Sequence, residues 1–404
     1  MEISHLGYRI QAGSIHFSRA VYALNWFVMA PSLIYISSDL NLQLIQLGVI
    51  TTGFYVGLAA FQLIGGILAS RVGNAYIAIL GLAILGVSTV FSGLSYSLLT
   101  LLTSRIFAGI GAALFFSPGI GALSNIVPAD RFGTHVGIYN GAFNIGAGVG
   151  IFGWSILDKM FGWRPSLIFA GALAVALAVE NILALRGIRE ERSVTRDIPR
   201  KIVSVMKKPH IWILSIAGLS SIIGETLIGQ FFVYYAENVV HIASFTAGLM
   251  AGISMVIGIA GGIIGGRQIQ KVKHKARAFL LTMLIGGVFI AMIPVTYNIV
   301  LLMLILIVEG ILVVAGFSVL YTMVSMEIAD RSMVSFSLSL TNFIQMGFSI
   351  VLPVVFTSLA YFLNYSYAWL IAGIVAMATS GLIYIGRRMN ALSSFFPGPQ
   401  RSKL

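Results

Sequence analysis

A short motif occurs twice in this chain: residues 65–71 read GGILASR, and residues 261–267 read GGIIGGR. A second pair has almost the same spacing, because ADR at residues 129–131 returns as ADR at residues 329–331. The two repeat distances are 196 and 200 residues in a chain of 404. A repeat of this length predicts two similar halves, which is the plan of many membrane transporters.

The composition places both halves in a membrane. Hydrophobic residues make up 58% of the chain and charged residues only 9%, and the mean hydropathy is +0.95. Soluble proteins carry about 25% charged residues. About 20 apolar residues are needed for a helix to cross the bilayer core, and barrel strands would alternate apolar and polar residues instead. Apolar runs of sufficient length cover residues 15–36, 44–69, 75–94, 97–126, 134–156, 165–186, 211–236, 243–266, 277–297, 299–326, 332–363 and 366–386. We therefore predict an all-α integral membrane protein with twelve transmembrane helices.

One long polar break divides these helices into six and six. We predict the following sections: an N-terminal six-helix half at 1–186, a linker at 187–210, a C-terminal six-helix half at 211–390 and a tail at 391–404. Arginine and lysine are concentrated in the linker, in the tail and in alternate loops. By the positive-inside rule, both termini and the linker are cytoplasmic. The net charge of +12 is thus explained by membrane orientation, and we predict the lipid bilayer, not nucleic acid, as the partner.

The motifs inside the repeat resemble those of the major facilitator superfamily, and the resemblance covers essentially the whole chain. It implies the 6+6 fold of that family. Residues 66–74 resemble the signature G-x-L-x-D-R-x-G-R-(R/K) of the loop between helices 2 and 3, whose charged groups latch the two halves. Ser70 stands where the signature has Asp, and Asn74 where it has a basic residue. The resemblance implies gating roles for Gly66, Ser70, Arg71, Arg131, Arg267 and Arg331.

Two further motifs bear on the type of transport. Arg105, Gly109 and Gly111 resemble the fourth-helix motif R-x-x-x-G-x-G, whose arginine faces the cavity and often takes part in proton coupling. The fifth helix resembles the antiporter motif G-x8-G-x3-G-P, but Ile151 replaces its proline, which counts against a drug/proton antiporter. Residues 24–48 are loosely similar to organic-anion/proton symporters of the superfamily.

Three ionisable residues lie far from any helix end. Helices 1, 4, 7 and 10 line the cavity, as the resemblance implies, and they contain Arg105, Glu225 and Glu309. A charge at this depth costs several kcal/mol unless it is paired or hydrated, so each residue is a functional candidate. We predict that Arg105 binds a substrate anion and that Glu225 and Glu309 couple transport to protons. The alternative interpretation is a fixed arginine–glutamate brace.

Polar side chains follow the same helices at helical spacing. The predicted substrate-binding residues, besides Arg105, are Tyr22, Asn25, Trp26, Asn140, Asn144, Thr226, Gln230, Tyr234, Asn342 and Gln345. Polar packing between helices is the alternative interpretation, since it needs no substrate in lipid. Two other residues receive structural interpretations: Arg19 reaches the cytoplasmic interface, and His135 forms an interfacial hydrogen bond, with pH sensing as its alternative.

Together these features predict a secondary active transporter of the cell membrane, moving a small organic anion by proton-coupled alternating access. The first alternative is a proton-coupled efflux antiporter for lipophilic or cationic compounds, and the second is a membrane sensor that binds without transport. An ATP-driven pump is disfavoured, because the sequence contains no phosphate-binding loop. We expect a monomer without a cofactor. We also expect no metal and no enzyme activity, because the spans contain no histidine cluster and no nucleophile–base pair.

Overall fold

A computed structural model describes residues 5–128, 131–188, 205–272, 274–326 and 334–384. The described part contains helices at each of the twelve predicted runs. They are α1 (His5–Trp26), α2 (Met29–Asp39), α3 (Leu44–Val72), α4 (Asn74–Gly93), α5 (Leu98–Ile126), α6 (Phe132–Phe161), α7 (Trp163–Ala184), α8 (Pro209–Ala217), α9 (Leu219–Asn238), α10 (Ser244–Lys271), α11 (Lys275–Met292), α12 (Ile299–Met326), α13 (Val334–Ser349), α14 (Leu352–Phe362) and α15 (Tyr365–Gly381). A 3₁₀ turn, Ile293–Val295, follows α11. The all-α prediction is confirmed.

The apolar helices have the length that a bilayer requires. In the described ranges, ten helical segments are long and apolar enough to cross a membrane by length and composition. Three of the predicted runs consist of two helices separated by a short break, at residues 27–28, 218 and 350–351. The first helix also begins at His5, well before the predicted start at residue 15. The hydropathy criterion missed residues 5–14 of this helix because they are not uniformly apolar.

Local sequence signals mark where helices begin and end. Gln43 and Gln46 form a reciprocal capping box at the start of α3, and the Gln43 backbone N–H donates to Oε1 of Gln46 at 2.7 Å. Ser97 and Thr100 do the same for α5. Gly162 separates α6 from α7. Its φ angle is 88°, a positive value that residues other than glycine rarely adopt. These caps satisfy backbone N–H groups that the helix itself leaves unpaired.

Glycines let the helices approach closely, and they do so in a pattern that repeats between the two sequence halves. A Cβ atom added to Gly86 on α4 would lie 2.7 Å from the carbonyl oxygen of Gly171 on α7. A Cβ atom added to Gly287 on α11 would lie 2.8 Å from the carbonyl oxygen of Gly373 on α15. Small residues at such contacts are typical of helix packing in membranes. The repeat seen in the sequence therefore extends to tertiary packing.

The described chain forms two compact units. The first contains α1 to α7 together with Ile228–Val256 and Ile350–Tyr361. The second contains α8, the part of α9 up to Leu227, Ile257–Ser349 and α15. The four sections of the chain predicted from the sequence stay predictions. Three of the predicted features lie outside the described residues: residues 189–204 of the linker, the tail at 391–404 and Arg331 of the gating set.

Candidate functional site

Arg105 on α5 is buried inside the first unit. Its side chain is 1% exposed, and its Cζ atom lies 4.7 Å from the centre of the Phe54 ring on α3. Four residues later, Gly109 contacts the backbone carbonyl of Phe54, so the glycine of the R-x-x-x-G-x-G motif lets α3 come close enough for this stacking. Nε and Nη1 of Arg105 have no hydrogen-bond partner among the described residues. The guanidinium is therefore held by an aromatic face while N–H groups remain available.

An aromatic cluster extends from Phe54 along α1. The Trp26 ring lies 4.8 Å from that of Phe54, and the Tyr22 ring lies 5.6 Å from that of Trp26. The indole N–H of Trp26 donates to the hydroxyl of Tyr55 at 3.4 Å. Tyr22 and Trp26, both predicted as substrate-binding residues, thus belong to one continuous cluster with the aromatic ring that stacks on Arg105.

Arg19 occupies the other end of this aromatic cluster, and the prediction made for it is wrong. It was expected to reach the membrane interface, because the apolar run starts just before it. The helix begins at His5 instead, and the Arg19 side chain is only 5% exposed. Its Cζ atom lies within 4.5 to 4.9 Å of the centres of four aromatic rings. These rings, which we call the Arg19 cage, belong to Tyr22, Phe116, Tyr139 and Phe143.

The asparagines of α1 and α6 have different surroundings. Asn25 is fully buried, and its Nδ2 donates to the carbonyls of Val21 and Ala170, each at 3.0 Å, which ties α1 to α7. Asn140 is exposed and Asn144 is half-buried on α6. Nδ2 of Asn144 donates to the Asn140 carbonyl at 3.2 Å. The amide of Asn25 therefore serves helix packing, while those of Asn140 and Asn144 remain accessible.

The predicted polar stripe of α9 is divided between the two units. Gln230 belongs to the first unit, where its Nε2 lies 3.5 Å from the Trp26 carbonyl and its buried Oε1 has no partner in the described chain. Tyr234, also in the first unit, is half-buried, whereas Thr226 is buried in the second unit. Gln230 thus lies beside Trp26, and the structure brings two predicted substrate-binding residues together.

Two carboxyl groups lie close together in the second unit. Glu309 on α12 is 2% exposed, and its Oε1 has no hydrogen-bond partner among the described residues. The charged neighbour that acts on it electrostatically is Glu225 on α9, which is half-buried. Two neighbouring carboxylates repel each other, most strongly where one of them is buried, so a proton on one of them removes an electrostatic cost. This arrangement is chemically suited to binding and releasing a proton.

The predicted substrate-binding residues of α13 also lie in the second unit. Gln345 is fully buried and accepts a hydrogen bond from the hydroxyl of Tyr321 at 3.4 Å, while its Nε2 has no partner in the described ranges. Asn342, one turn earlier, is half-buried. Gln345 therefore offers an unpaired amide donor inside the second unit.

The residues predicted to gate the transporter are mostly exposed. The side chains of Arg71, Arg131 and Arg267 are exposed, and nothing lies within 4 Å of a Cβ atom added to Gly66. Ser70 donates to the Ile67 carbonyl at 2.8 Å within its own helix. Nη1 of Arg131 donates to the Tyr8 hydroxyl at 2.9 Å. Their gating role stays a prediction.

His135 lies one turn after Arg131 and contacts another histidine. Its Nδ1 is 2.9 Å from Nε2 of His16, and the two rings stack with centres 5.2 Å apart. The predicted hydrogen bond of His135 is therefore present, but its partner is an imidazole of α1. Across the described part of the chain, no group of three or more His, Asp or Glu residues is placed to hold a metal ion.

One buried acid of this unit was missed by the sequence analysis. Asp158 on α6 is 2% exposed, and its Oδ2 accepts a hydrogen bond of 2.6 Å from the hydroxyl of Ser32 on α2. Its Oδ1 is buried without a partner among the described residues. The sequence signal was weak, because Asp158 lies next to Lys159 near a helix end, where a surface position is the ordinary expectation.

Comparison with known proteins identifies the family. A model of the Major Facilitator Superfamily matches residues 15–353 of the chain. The chain belongs to the Major Facilitator Superfamily. The resemblance inferred from the repeat and from the arginine motif of α5 is therefore confirmed, and so is the twelve-helix fold class.

Members of the superfamily with named functions match part of the chain. A riboflavin transporter from Clostridioides difficile is 29% identical over 168 residues, which is 41% of this chain and 36% of that protein. A quinolone resistance protein from Staphylococcus aureus is 26% identical over 175 residues, covering 42% of this chain and 44% of that protein. The chain thus matches less than half of the length of these relatives.

A solved structure matches the whole fold. It is a bacterial homolog of the human lysosomal transporter Spinster, in an inward-facing and unoccupied conformation. The TM-score is 0.77 at 17% sequence identity, and the match covers 97% of this chain and 98% of that one. At this identity, the likeness extends to the fold alone.

Proposed function

We propose that this member of the superfamily is a secondary active transporter that carries a small organic anion across the cytoplasmic membrane together with protons. The observation that carries the proposal is Arg105, a guanidinium that is almost fully buried and has Nε and Nη1 without hydrogen-bond partners. An unpaired buried cation is costly in a membrane. A substrate carboxylate would neutralise it and accept its free N–H groups.

The proton is proposed to bind at Glu225 and Glu309. Both acids lie on helices that line the cavity in this family, and Glu309 has a buried oxygen without a partner. Because each acid disfavours the charge of the other, protonation of one is the means by which the pair becomes stable at this depth. A proton taken up on one side of the membrane and released on the other would couple the gradient to transport.

The remaining predictions are proposed with this function. Tyr22, Trp26, Asn140, Asn144, Gln230 and Gln345 offer rings or amide groups, and we propose that they contact substrate. The exposed arginines at positions 71, 131 and 267 are proposed to latch the cytoplasmic ends of the helices. We further propose cytoplasmic termini, and a monomer as the working unit.

A second candidate function is export of lipophilic or cationic compounds in exchange for protons. The aromatic cluster from Phe54 to the Arg19 cage favours it, since flat apolar compounds pack well on aromatic rings. The quinolone resistance protein of Staphylococcus aureus is a relative whose name is compatible with export. Against it stand two buried arginines, Arg19 and Arg105, which repel a cationic substrate.

The test uses purified full-length protein in liposomes that contain a pH-sensitive dye. External mono- and dicarboxylates, sugars and lipophilic cations are added one at a time. Internal acidification that depends on an added anion is the expected result of symport. Alkalinisation of an acid-loaded lumen on addition of a lipophilic cation would contradict the proposal and support the antiporter. Empty liposomes, and protein with Arg105 replaced by Gln, serve as controls.

A further inference from the structure

Arg19 differs from Arg105 in having four aromatic rings around its guanidinium, whereas Arg105 stacks on the single ring of Phe54. Its Cζ atom lies 4.5 Å from the ring centres of Tyr22 and Phe143, 4.8 Å from that of Phe116 and 4.9 Å from that of Tyr139. Each contact is within the range of a cation–π interaction. Four rings from α1, α5 and α6 thus form a cage of the kind that binds cationic ligands, and here a side chain of the protein occupies it.

Contacts with neighbouring residues hold the rings of the cage in place. The hydroxyl of Tyr139 donates to the Phe116 carbonyl at 3.0 Å, which joins α6 to α5. The rings of Phe115 and Tyr22 stack with centres 5.3 Å apart, behind the cage wall. Tyr22 and Tyr139 are at most 1% exposed. Arg19 is therefore held in one place, and its position does not depend on a flexible surface side chain.

The guanidinium in this cage has N–H groups without hydrogen-bond acceptors. Nε and Nη1 of Arg19 are buried and have no hydrogen-bond partner in the described chain. Arg19 also makes no ion pair with any described residue. Rings stabilise the faces of the guanidinium but cannot accept its in-plane N–H groups as an oxygen does. Buried donors without acceptors lower the stability of the folded protein, and an anionic ligand that accepted their hydrogen bonds would remove this cost.

One side of the cage is accessible. Phe116 and Phe143 are half-buried, in contrast to the two tyrosines, and Asn140 is exposed one turn before Asn144 on α6. Residues 140, 143 and 144 lie on one face of this helix because they are three and four positions apart. A ligand at this rim would meet aromatic rings and amide groups, with the buried, unpaired N–H groups of Arg19 directly behind them.

We propose that Arg19 and its cage form a binding site for a flat aromatic carboxylate, and that Arg19 sets the charge selectivity of the transporter. The carboxylate accepts from Arg19, and the ligand ring packs on Phe116 and Phe143. Because the cation of Arg19 fills the cage, an organic cation is excluded. This inference rests on the proposed function as an anion transporter and narrows its substrate to aromatic acids.

The test measures equilibrium binding to the full-length protein in lipid nanodiscs with three probes of similar size. They are 2-naphthoate, its saturated analogue decahydro-2-naphthoate, and the flat cation 2-naphthyltrimethylammonium. We expect the wild type to bind 2-naphthoate at least tenfold more tightly than either other probe. Equal affinity for all three probes, or no binding of 2-naphthoate, overturns the proposal.

Variants separate the roles of charge and ring. Arg19→Gln is expected to lose at least tenfold in affinity for 2-naphthoate and to gain affinity for the cation, because the cage is vacated. Arg19→Lys should give an intermediate affinity, since it keeps the charge but loses the planar group. Arg9→Gln on the same helix is the matched control, because Arg9 is exposed, and it should bind like the wild type.

A third variant keeps the proposal testable if Arg19→Gln does not fold. Phe143→Leu removes a ring and no charge, and it should abolish the preference for 2-naphthoate over its saturated analogue. Wild-type selectivity in both Phe143→Leu and Arg19→Lys would overturn the proposal. The assay uses no gradient, so its outcome is separate from that of the transport test. A protein that accumulates another anion but does not bind 2-naphthoate contradicts the cage alone, whereas Arg19-dependent binding without any anion transport contradicts the proposed function alone.

Discussion

The carboxyl group of Glu309 on α12 lies directly against Gly224 on α9, and a Cβ atom at position 224 would collide with its Oε1. The residue next along the chain is Glu225, the charged neighbour of Glu309. The glycine therefore makes the space in which a buried carboxyl can stand beside a second acid. This contact joins the two helices that carry the proposed proton-binding residues.

Replacing Gly224 by Ala should displace the carboxyl of Glu309 and impair proton-coupled accumulation. An added methyl group in a packed interior costs about 1–3 kcal/mol, so the thermal midpoint should also fall. Accumulation in liposomes and thermal unfolding are the two measurements. Gly347→Ala on α13 is the matched control, because nothing lies within 4 Å of its Cβ position. Equal behaviour of the two variants would show that the contact at Gly224 is unimportant.

Glu225→Gln and Glu309→Gln should each abolish accumulation driven by a proton gradient and spare exchange of substrate between two equal pools. An amide keeps the shape of the side chain but cannot carry the proton, so only the coupled step is lost. The measurement compares uphill uptake with counterflow of a labelled anion. Glu180→Gln is the control, since Glu180 is exposed and accepts a hydrogen bond from Ser14. Normal uphill uptake by both variants would refute the assignment.

Arg105→Lys should raise the apparent KM for the transported anion by roughly tenfold or more, although the charge is retained. The guanidinium offers N–H groups in a plane, whereas an ammonium is a point charge with a different reach. The aromatic face of Phe54, 4.7 Å from Cζ, also suits the planar group. Initial rates of uptake provide the measurement, with the exposed Arg277→Lys as the control. An unchanged KM would remove Arg105 from the anion site.

The helices could be predicted from the sequence because the signal for a membrane span is local. A run such as 299–326 is apolar throughout, and α12 has the same bounds. The family could be recognised for a similar reason, since the repeat at 65–71 and 261–267 consists of contiguous residues. The start of α1 at His5 was missed because its first residues mix polar and apolar side chains. Hydropathy indicates the length of the apolar span, which can be shorter than the helix that contains it.

The surroundings of individual side chains could not be predicted, because they depend on residues far away in the chain. Arg19 is caged by rings at positions 116, 139 and 143, which no sequence spacing connects to α1. Its burial also followed from the unexpected early start of that helix. Arg105 and Glu309 were easier to identify, since a charge in the middle of a long apolar run stands out without knowledge of its neighbours.

Gly261→Ala should destabilise the protein, whereas Gly266→Ala in the same repeated stretch should not. A Cβ atom at position 261 would collide with the carbonyl of Ile311 on α12, and backbone atoms cannot move aside as a flexible side chain can. Nothing lies within 4 Å of the Cβ position of Gly266. We expect a loss of about 1–3 kcal/mol for the first variant, seen as a lower thermal midpoint in detergent. Equal midpoints would contradict the close contact of α10 with α12.

Asp158 and Ser32 should behave as a coupled pair. Oδ2 of Asp158 accepts the hydroxyl of Ser32 at 2.6 Å, and both residues are buried. Asp158→Ala should therefore lower stability by about 1–3 kcal/mol, because a buried polar partner is lost. Asp158→Asn should retain wild-type stability, since the amide oxygen accepts the same hydrogen bond and the side chain carries no charge to bury.

A double-mutant cycle with Ser32→Ala and Asp158→Ala tests this pairing by thermal unfolding. The sum of the stability losses of the two single variants should exceed the loss of the double variant, because each single variant removes the same hydrogen bond. The Ser32 hydroxyl also lies 3.0 Å from the Val28 carbonyl, so it keeps an acceptor within α2 when Asp158 is removed. With this second acceptor, the Ser32 hydroxyl is not left unpaired in Asp158→Ala. The stability that the variant loses therefore comes from the broken link between α2 and α6. Strictly additive losses would mean that the 2.6 Å contact contributes nothing to stability.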